Sequence, residues 1–308
     1  MIIKNAYVYT LEQGFVKKDT VIENGYYSDQ DRLPSDGETV IDAEENYLIP
    51  GLVDVHFHGC GGYDFSDGTL EALAAIGDYE LRNGITAVCP AAMTLPEEML
   101  RGICENAFKY ASNNQLGTRD RQVARLCGIH LEGPFIAAEK KGAQNHAYIR
   151  EPDRGMFHRL QEVAHGLIRL ITIAPESAHA MDFIRELNGQ VHISLGHTAS
   201  DYDTAYEAFV LGADHVTHCF NAMPGFTHRA PGVIGAAADA SHVMPELICD
   251  GVHVHPSAVR CSTYNPAKSI GVEALYGRIA TGAYGDCVIL SRKDLSVQNV
   301  ILGGELVN

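Results

Sequence analysis

Hydrophobic and polar positions change their pattern near residue 50. Residues 1–50 form short apolar runs broken by Gly, Asn and Asp, and residues 277–308 have the same texture. Runs of this kind predict short strands, so we expect the two ends of the chain to form a small β-sandwich domain together. Residues 51–276 are predicted to form the other domain.

From Leu52 onward, apolar runs of strand length alternate with segments of helical period. That alternation is typical of a parallel α/β fold, and it predicts a TIM-like (β/α)8 barrel. Seven strands can be identified, the first at 52–57 and the last at 243–249, and the eighth strand is not found in the sequence. Seven strands would leave two open edges of unpaired backbone groups, which folded proteins avoid.

Three polar side chains stand where predicted barrel strands end. His197 follows the apolar run 191–196, His218 ends the next strand, and Glu132 ends the third strand. The carboxyl ends of barrel strands open into one mouth, where two imidazole nitrogens and one carboxylate could form a catalytic zinc site. The alternative for each histidine alone is a core residue bonded to a backbone carbonyl.

A further pair of candidate metal ligands, His56 and His58, ends the first barrel strand. Residues two apart on a strand share one face, so this pair can hold one ion. An HxH pair is weak evidence by itself, since the chain has 15 histidines and a second such pair at 253–255. Its position at a strand end favours the metal interpretation.

Loops around the predicted mouth carry residues that suit a sugar or a phosphate. Asn221, Arg229 and His253 follow strands six and seven, and together they offer an amide, a guanidinium and an imidazole. Arg229 alone could equally be a solvated loop charge. The long polar loop from Glu132 to about Pro152 is predicted to bind a ligand.

The composition limits the partners. A formal net charge of -16 disfavours nucleic acid and anionic membrane surfaces, because their phosphates would be repelled. No apolar run approaches the length of a membrane span. Eight scattered cysteines without a CxxC pair, and no signal-peptide pattern, predict a protein of the reducing cytosol.

The motifs resemble those of the amidohydrolase superfamily and, in finer detail, those of the N-acetylglucosamine-6-phosphate deacetylase family. The resemblance runs in order along nearly the whole chain. Its motifs are PGLVDVHFHGCGG (50–62), GIHLEGPF (128–135), KKGAQ (140–144), SLGHTASDY (194–202), THCFNAM (217–223), DGVHVHP (250–256) and NPAKSIG (265–271).

The resemblance implies a metal-dependent hydrolase that removes acetate from the 2-amino group of N-acetylglucosamine 6-phosphate. It implies one or two divalent ions, zinc or iron, and a homodimer. The implied metal ligands are Glu132, His197, His218, His56 and His58, and the implied substrate contacts are Ala143, Gln144, Asn221, Ala222, Arg229 and His253. Many members of the family carry His at the position of Gln144.

One implied catalytic residue is missing. The family's general base is an Asp at the end of the eighth strand, and that strand should lie between DGVHVHP and NPAKSIG. Asp286 and Asp294 fall in the tail and are poor substitutes, so no catalytic residue is identified. Either the protein has this segment and the sequence omits it, which the open-edge argument favours, or the protein itself lacks the segment.

Three functions therefore remain open. The first is the sugar-phosphate deacetylase. The second is another amidohydrolase, such as an N-acyl-amino-acid deacylase or a purine deaminase, which would need no phosphate. The third is a catalytically impaired remnant that binds metal and sugar phosphate without turnover.

Overall fold

The alternation of strands and helices after residue 50 is present in the computed structural model, which describes residues 1–29, 32–113, 122–255, 270–272 and 274–307. The N-terminal strands are β1 (Ile2–Thr10), β2 (Gly14–Glu23), β3 (Tyr26–Ser28), β4 (Val40–Asp42) and β5 (Tyr47–Pro50). The middle of the chain contains β6 (Leu52–Asp54), β7 (Gly59–Cys60), β8 (Tyr63–Asp64), α1 (Leu70–Arg82), β9 (Ile85–Val88), β10 (Ala91–Ala92), α2 (Glu97–Asn113), β11 (Arg125–Leu126), β12 (Ile129–Glu132), α3 (Arg154–Val163), β13 (Ile168–Ile173), α4 (Ala180–Leu187), β14 (His192–Leu195), α5 (Tyr202–Leu211), β15 (His215–Val216), α6 (Gly232–Asp239) and β16 (Met244–Pro245). The C-terminal strands are β17 (Cys287–Leu290), β18 (Val297–Leu302) and β19 (Glu305–Leu306).

The strands of the middle region pair in parallel and in chain order. One sheet has the order β6, β9, β11 read from its edge, and the other has the order β10, β12, β13, β14, β15, β16. The pairs β9/β10 and β11/β12 are the two halves of interrupted strands, so seven barrel positions are present in the described residues. The eighth strand, which was not found in the sequence, should lie between DGVHVHP and NPAKSIG, and residues 256–269 there lie outside the described residues.

Side-chain caps set where several barrel helices begin. Thr69 accepts a hydrogen bond from the backbone N–H of Ala72 at the start of α1, and Asp153 does the same for Met156 at the start of α3. Asp201 likewise accepts from the backbone N–H of Thr204 at the start of α5. Each cap accepts a hydrogen bond from a backbone N–H in the first turn, which has no partner within the helix.

Strands from both ends of the chain form one mixed sheet of eight strands. Its order is β19, β18, β17, β5, β1, β2, β3, and β4 pairs with β1 beside β5. The two ends join where β17 pairs antiparallel with β5, with Val288 opposite Ile49. The predicted layer from both termini is thus present, although it is one continuous hydrogen-bonded sheet where a sandwich of sheets was expected. The boundaries at residues 50 and 277 stay a prediction.

None of the helices in the described part of the chain is both long and apolar enough to cross a membrane.

Candidate metal centre

Five residues from four strand ends meet around the carboxylate of Glu132. Glu132 is the last residue of β12, while His56 and His58 follow β6, His197 follows β14 and His218 follows β15. The Glu132 side chain is 2% exposed. The parallel strands deliver these side chains to one end of the barrel, as their positions in the sequence suggested.

Four imidazole Nε2 atoms point at the two oxygens of Glu132. Oε1 lies 3.3 Å from His56, 3.1 Å from His197 and 3.0 Å from His218, and Oε2 lies 2.9 Å from His58. The Nε2 atoms of His197 and His218 are also 3.1 Å apart. Ligands about 2.0–2.1 Å from a tetrahedral zinc ion are separated by about 3.3 Å. The triangle of Oε1 and the Nε2 atoms of His197 and His218, with sides of 3.0 and 3.1 Å, therefore has nearly the dimensions of one face of such a site.

The other ring nitrogens fix the tautomers of two of these histidines. The Nδ1 of His197 is 2.8 Å from the carbonyl of Lys140, and that of His58 is 3.0 Å from the carbonyl of Ala91. A carbonyl only accepts, so each Nδ1 carries the proton. In the neutral ring Nε2 then presents a lone pair toward Glu132, an arrangement that a cation between them would make favourable. The donor set therefore fits a divalent metal ion.

The electrostatics of the metal-free centre agree with that fit. Burial lowers the pKa of His56, but hydrogen bonds to Glu132 and Glu246 outweigh it and raise the pKa to about 10. Burial also disfavours the Glu132 anion, yet hydrogen bonds from His197 and His218 hold the pKa of Glu132 well below its usual range. Protonated His56 thus faces Glu132 where a cation would bind, so binding of a metal ion there would release a proton.

The backbone is held in the left-handed region at the strand ends that carry the ligands. His197 has φ of 46° and His218 has φ of 31°. Residues other than Gly rarely adopt these angles, and such strain is concentrated at functional sites. Phe220 and Ala222 in the loop after His218 also have positive φ.

Gln144, expected from the resemblance to contact substrate, lies against the metal centre. Its Nε2 donates to Glu132 Oε2 at 2.7 Å, and its Oε1 accepts from the backbone N–H of Thr94 at 2.7 Å. Gln144 is 2% exposed. The long loop that carries it is also tied to the barrel by the bond from His197 to the Lys140 carbonyl.

The remaining predicted substrate contacts lie in loops. Ala143 is exposed in the same loop as Gln144, and Asn221 and Ala222 are half-buried after His218. The amide of Asn221 donates to the His218 carbonyl at 3.2 Å, while the Ala222 carbonyl accepts from the backbone of Thr198. Arg229 and His253 are exposed in later loops, and His253 is bonded to Asp250 at 2.7 Å.

Sequence reasoning missed one ionisable residue beneath the centre, Glu246. It follows β16, is 9% exposed, and accepts from His56 Nδ1 at 2.8 Å and from Ser194 Oγ at 2.8 Å. Its signal in the sequence was a single acid inside the apolar run 243–249. A carboxylate in such a run is rarely buried without a partner.

Comparison with known proteins defines the class. The sequence pattern of the amidohydrolase family matches residues 47–260 and 252–307. The chain therefore belongs to the amidohydrolase family, to which the strand-end histidines and Glu132 had pointed.

Several curated relatives that the chain resembles are named as deacetylases of amino-sugar phosphates. N-acetylglucosamine-6-phosphate deacetylase of Bacillus subtilis (strain 168) is 34% identical over 256 residues, which is 80% of this chain and 64% of the relative. N-acetylgalactosamine-6-phosphate deacetylase of Escherichia coli O157:H7 is 32% identical over 72% of this chain and 57% of its own. The chain spans 52% to 64% of the length of the first three curated relatives.

Solved structures confirm the fold. The crystal structure of N-acetyl-D-glucosamine-6-phosphate deacetylase from Mycobacterium smegmatis matches with a TM-score of 0.86 at 25% identity, over 100% of both chains. A mutant of that enzyme in complex with N-acetyl-D-glucosamine-6-phosphate also matches with a TM-score of 0.86, over 99% of this chain and 98% of that chain. The predicted TIM-like barrel with a sheet built from both termini is thereby confirmed.

Proposed function

We propose that this chain hydrolyses the N-acetyl group of N-acetylglucosamine 6-phosphate, giving glucosamine 6-phosphate and acetate in amino-sugar catabolism. One observation carries the proposal: four histidine Nε2 atoms converge on the buried carboxylate of Glu132 at the mouth of the barrel. The similarity to deacetylases of sugar phosphates supports the choice of substrate.

Glu132 would be shared by two metal positions. His197 and His218 would complete one of them, and His56 and His58 the other. When bound, a divalent ion lowers the pKa of water and polarises an amide carbonyl. Imidazole and carboxylate donors suit zinc or iron among other divalent ions.

Substrate would be held by the loops above this centre. The amide of Gln144 has two hydrogens, and Glu132 takes one of them, so the second remains for a sugar hydroxyl or for the acetyl oxygen. Ala143, Asn221 and Ala222 would border the sugar. Arg229 and His253, which carry the cationic and imidazole groups of these loops, would contact the phosphate.

Two aspartates that the sequence offers near the C-terminal half are engaged away from the centre. Asp286 is bound to Arg125 at 2.9 Å in the terminal region, and both oxygens of Asp250 accept hydrogen bonds within its own turn. Neither is therefore a good base for the centre. A binding protein without turnover is accordingly the second candidate function, favoured by the missing strand-eight Asp.

Acetate release separates these candidates. We expect the zinc- or iron-loaded chain to release acetate from N-acetylglucosamine 6-phosphate and not from N-acetylglucosamine, which lacks the phosphate. N-acetylgalactosamine 6-phosphate is the matched test of sugar specificity, and the Glu132→Gln variant is the inactive control. Calorimetric binding of glucosamine 6-phosphate without any acetate release would establish the non-catalytic function instead.

The assembly and location predicted from the sequence remain proposals. We infer a homodimer, as the resemblance implies, and light scattering on the purified chain would measure it. A cytosolic location is supported by seven free cysteines among the described residues, as expected in a reducing compartment.

A further inference from the structure

The carboxylate of Glu246 contacts the Nδ1 atom of His56, the candidate ligand whose Nε2 atom faces Glu132. Its Oε2 bonds to His56 Nδ1 at 2.8 Å and its Oε1 to Ser194 Oγ at 2.8 Å. The side chain is 7% exposed. His56 follows β6 and Glu246 follows β16, so this bond also joins the two outer strands of the barrel.

We propose that Glu246 is a positioning residue that makes the His56–His58 pair a metal site in its own right. It would do so by holding His56 in the Nδ1–H tautomer, with Nε2 directed at the ion position beside Glu132. The proposal deepens the proposed function, because it concerns the second of the two metal positions named there.

Glu246 is itself held in one orientation by a chain of hydroxyl groups. Thr217 Oγ1 donates to Ser194 Oγ at 2.6 Å, and Thr172 Oγ1 lies 2.8 Å from Thr217 Oγ1. The chain ends at His130 Nε2, 2.7 Å from Thr172. Because buried side-chain bonds of this kind leave little rotational freedom, the acceptor for His56 is fixed before any ion binds.

The charge on Glu246 distinguishes His56 from the other ligands. His58 and His197 donate from Nδ1 to neutral carbonyls, whereas His56 donates to an anion. A carboxylate at this position makes the opposite ring nitrogen a stronger ligand. Two divalent ions would otherwise face Glu132 as the single anionic ligand among the five described candidates, so a second buried negative charge favours double occupancy.

Titration with Co²⁺ tests the proposal, because its visible absorption reports on each protein-bound ion. We expect the metal-free full chain to bind two ions in two phases. In Glu246→Gln, which keeps the shape and loses the charge, the weaker phase should lose about 10–100-fold in affinity. The tighter phase, assigned to Glu132, His197 and His218, should change less than about twofold.

A double-mutant comparison tests whether Glu246 acts through His56. If it does, adding Glu246→Gln to His56→Ala should change Co²⁺ affinity no further. Asp214→Asn is the matched control: Asp214 is also a carboxylate bound to barrel histidines, at 2.6 Å from His192 Nδ1 and 2.7 Å from His215 Nδ1. This control should leave both phases intact.

Three results would overturn the proposal: a single Co²⁺ ion per wild-type chain, equal weakening of both phases in Glu246→Gln, or a further loss in the His56→Ala background. If Glu246→Gln does not fold, as judged by circular dichroism, Ser194→Ala replaces it. That variant frees one oxygen of Glu246 and should weaken the same phase by several-fold, and an unchanged phase would contradict the proposal. Since no step requires acetate release, a failure of the deacetylase function remains distinguishable.

Discussion

At the scale of single residues, the metal centre depends on one carboxylate. The two oxygens of Glu132 lie 2.9–3.3 Å from the Nε2 atoms of His56, His58, His197 and His218, and Gln144 donates a hydrogen bond to this carboxylate. Removing its charge would affect both metal positions at once. This separates Glu132 from the histidines, each of which would serve one of the proposed positions.

Glu132→Gln should reduce metal affinity at both positions by more than about 100-fold, beyond the 10–100-fold typical of groups that only support a ligand. The reason is that an amide is neutral and directs N–H groups at nitrogens whose lone pairs must face the ion. Elemental analysis after dialysis measures this, with circular dichroism to verify folding. Two ions retained per chain would show that Glu132 is not a ligand.

Asp214 provides a residue-scale prediction that is independent of the metal. Burial raises its pKa, but hydrogen bonds from His192 and His215 outweigh this and hold the pKa of Asp214 well below its usual range. A depressed pKa contributes stability above the unfolded value of about 3.9, and that stability is lost as pH falls through the folded pKa.

Asp214→Asn should therefore lower the free energy of unfolding by about 1–3 kcal/mol at pH 7. The difference from wild type should shrink as the pH falls below about 4, because the unfolded wild-type carboxyl takes up a proton there while the folded one stays ionised. Urea unfolding of both chains at pH 7, 5 and 3.5 makes the comparison. A difference that grows toward acid would contradict the assigned sign.

At the scale of elements, the site depends on the turn that follows each strand. Gly133, directly after Glu132, has φ of +95°, and a Cβ there would lie 2.1 Å from Thr94 Oγ1. That hydroxyl donates to the Glu132 carbonyl at 3.0 Å. The turn thus requires a left-handed backbone at Gly133 and close packing of Gly133 against Thr94, which bonds to Glu132.

Gly133→Ala should destabilise the fold by about 2–5 kcal/mol, of which about 1–2 is left-handed strain and about 1–3 is overpacking. It should weaken metal binding too, because Glu132 must shift. Gly189→Ala is the control for strain alone: φ is +78° and no atom lies within 4 Å of the added Cβ. Equal destabilisation in the two variants, by urea unfolding, would exclude a role for packing at Gly133.

Elements also show what the sequence could and could not predict. Strand ends were predictable, since apolar runs lead directly into His56, Glu132, His197 and His218, and parallel strands must bring their ends together. Contacts made across the barrel were not. No regular spacing along the sequence predicts the hydrogen bond that Gln144 donates to Glu132 or the one that His56 donates to Glu246. Likewise, the pairing of β5 with β17 joins runs whose period predicts strands but not their partners.

At the scale of the whole molecule, a buried ion pair connects the barrel to the C-terminal strands. Arg125, in β11, bonds to both oxygens of Asp286 at 2.9 and 3.1 Å, and both side chains are nearly buried. Asp286 immediately precedes β17 and also accepts from the backbone of Gly303 at 2.7 Å. The guanidinium lies 4.2 Å from the centre of the Tyr284 ring. This contact therefore links the terminal sheet to the barrel.

Breaking the Arg125–Asp286 pair should lower the free energy of unfolding because it leaves a buried charge unpaired, and a second substitution can test this cause. Asp286→Asn keeps an acceptor for Gly303 but leaves the Arg125 charge buried without a partner, which should destabilise the chain by about 3–5 kcal/mol. Arg125→Met in the same chain removes the stranded charge, so the double variant should recover part of the loss in urea unfolding. Glu105→Gln, which breaks the exposed pair with Arg101, should change stability by less than about 1 kcal/mol. If the double variant were no more stable than Asp286→Asn, the loss would come from packing at the junction, and the charge of Arg125 would not be its cause.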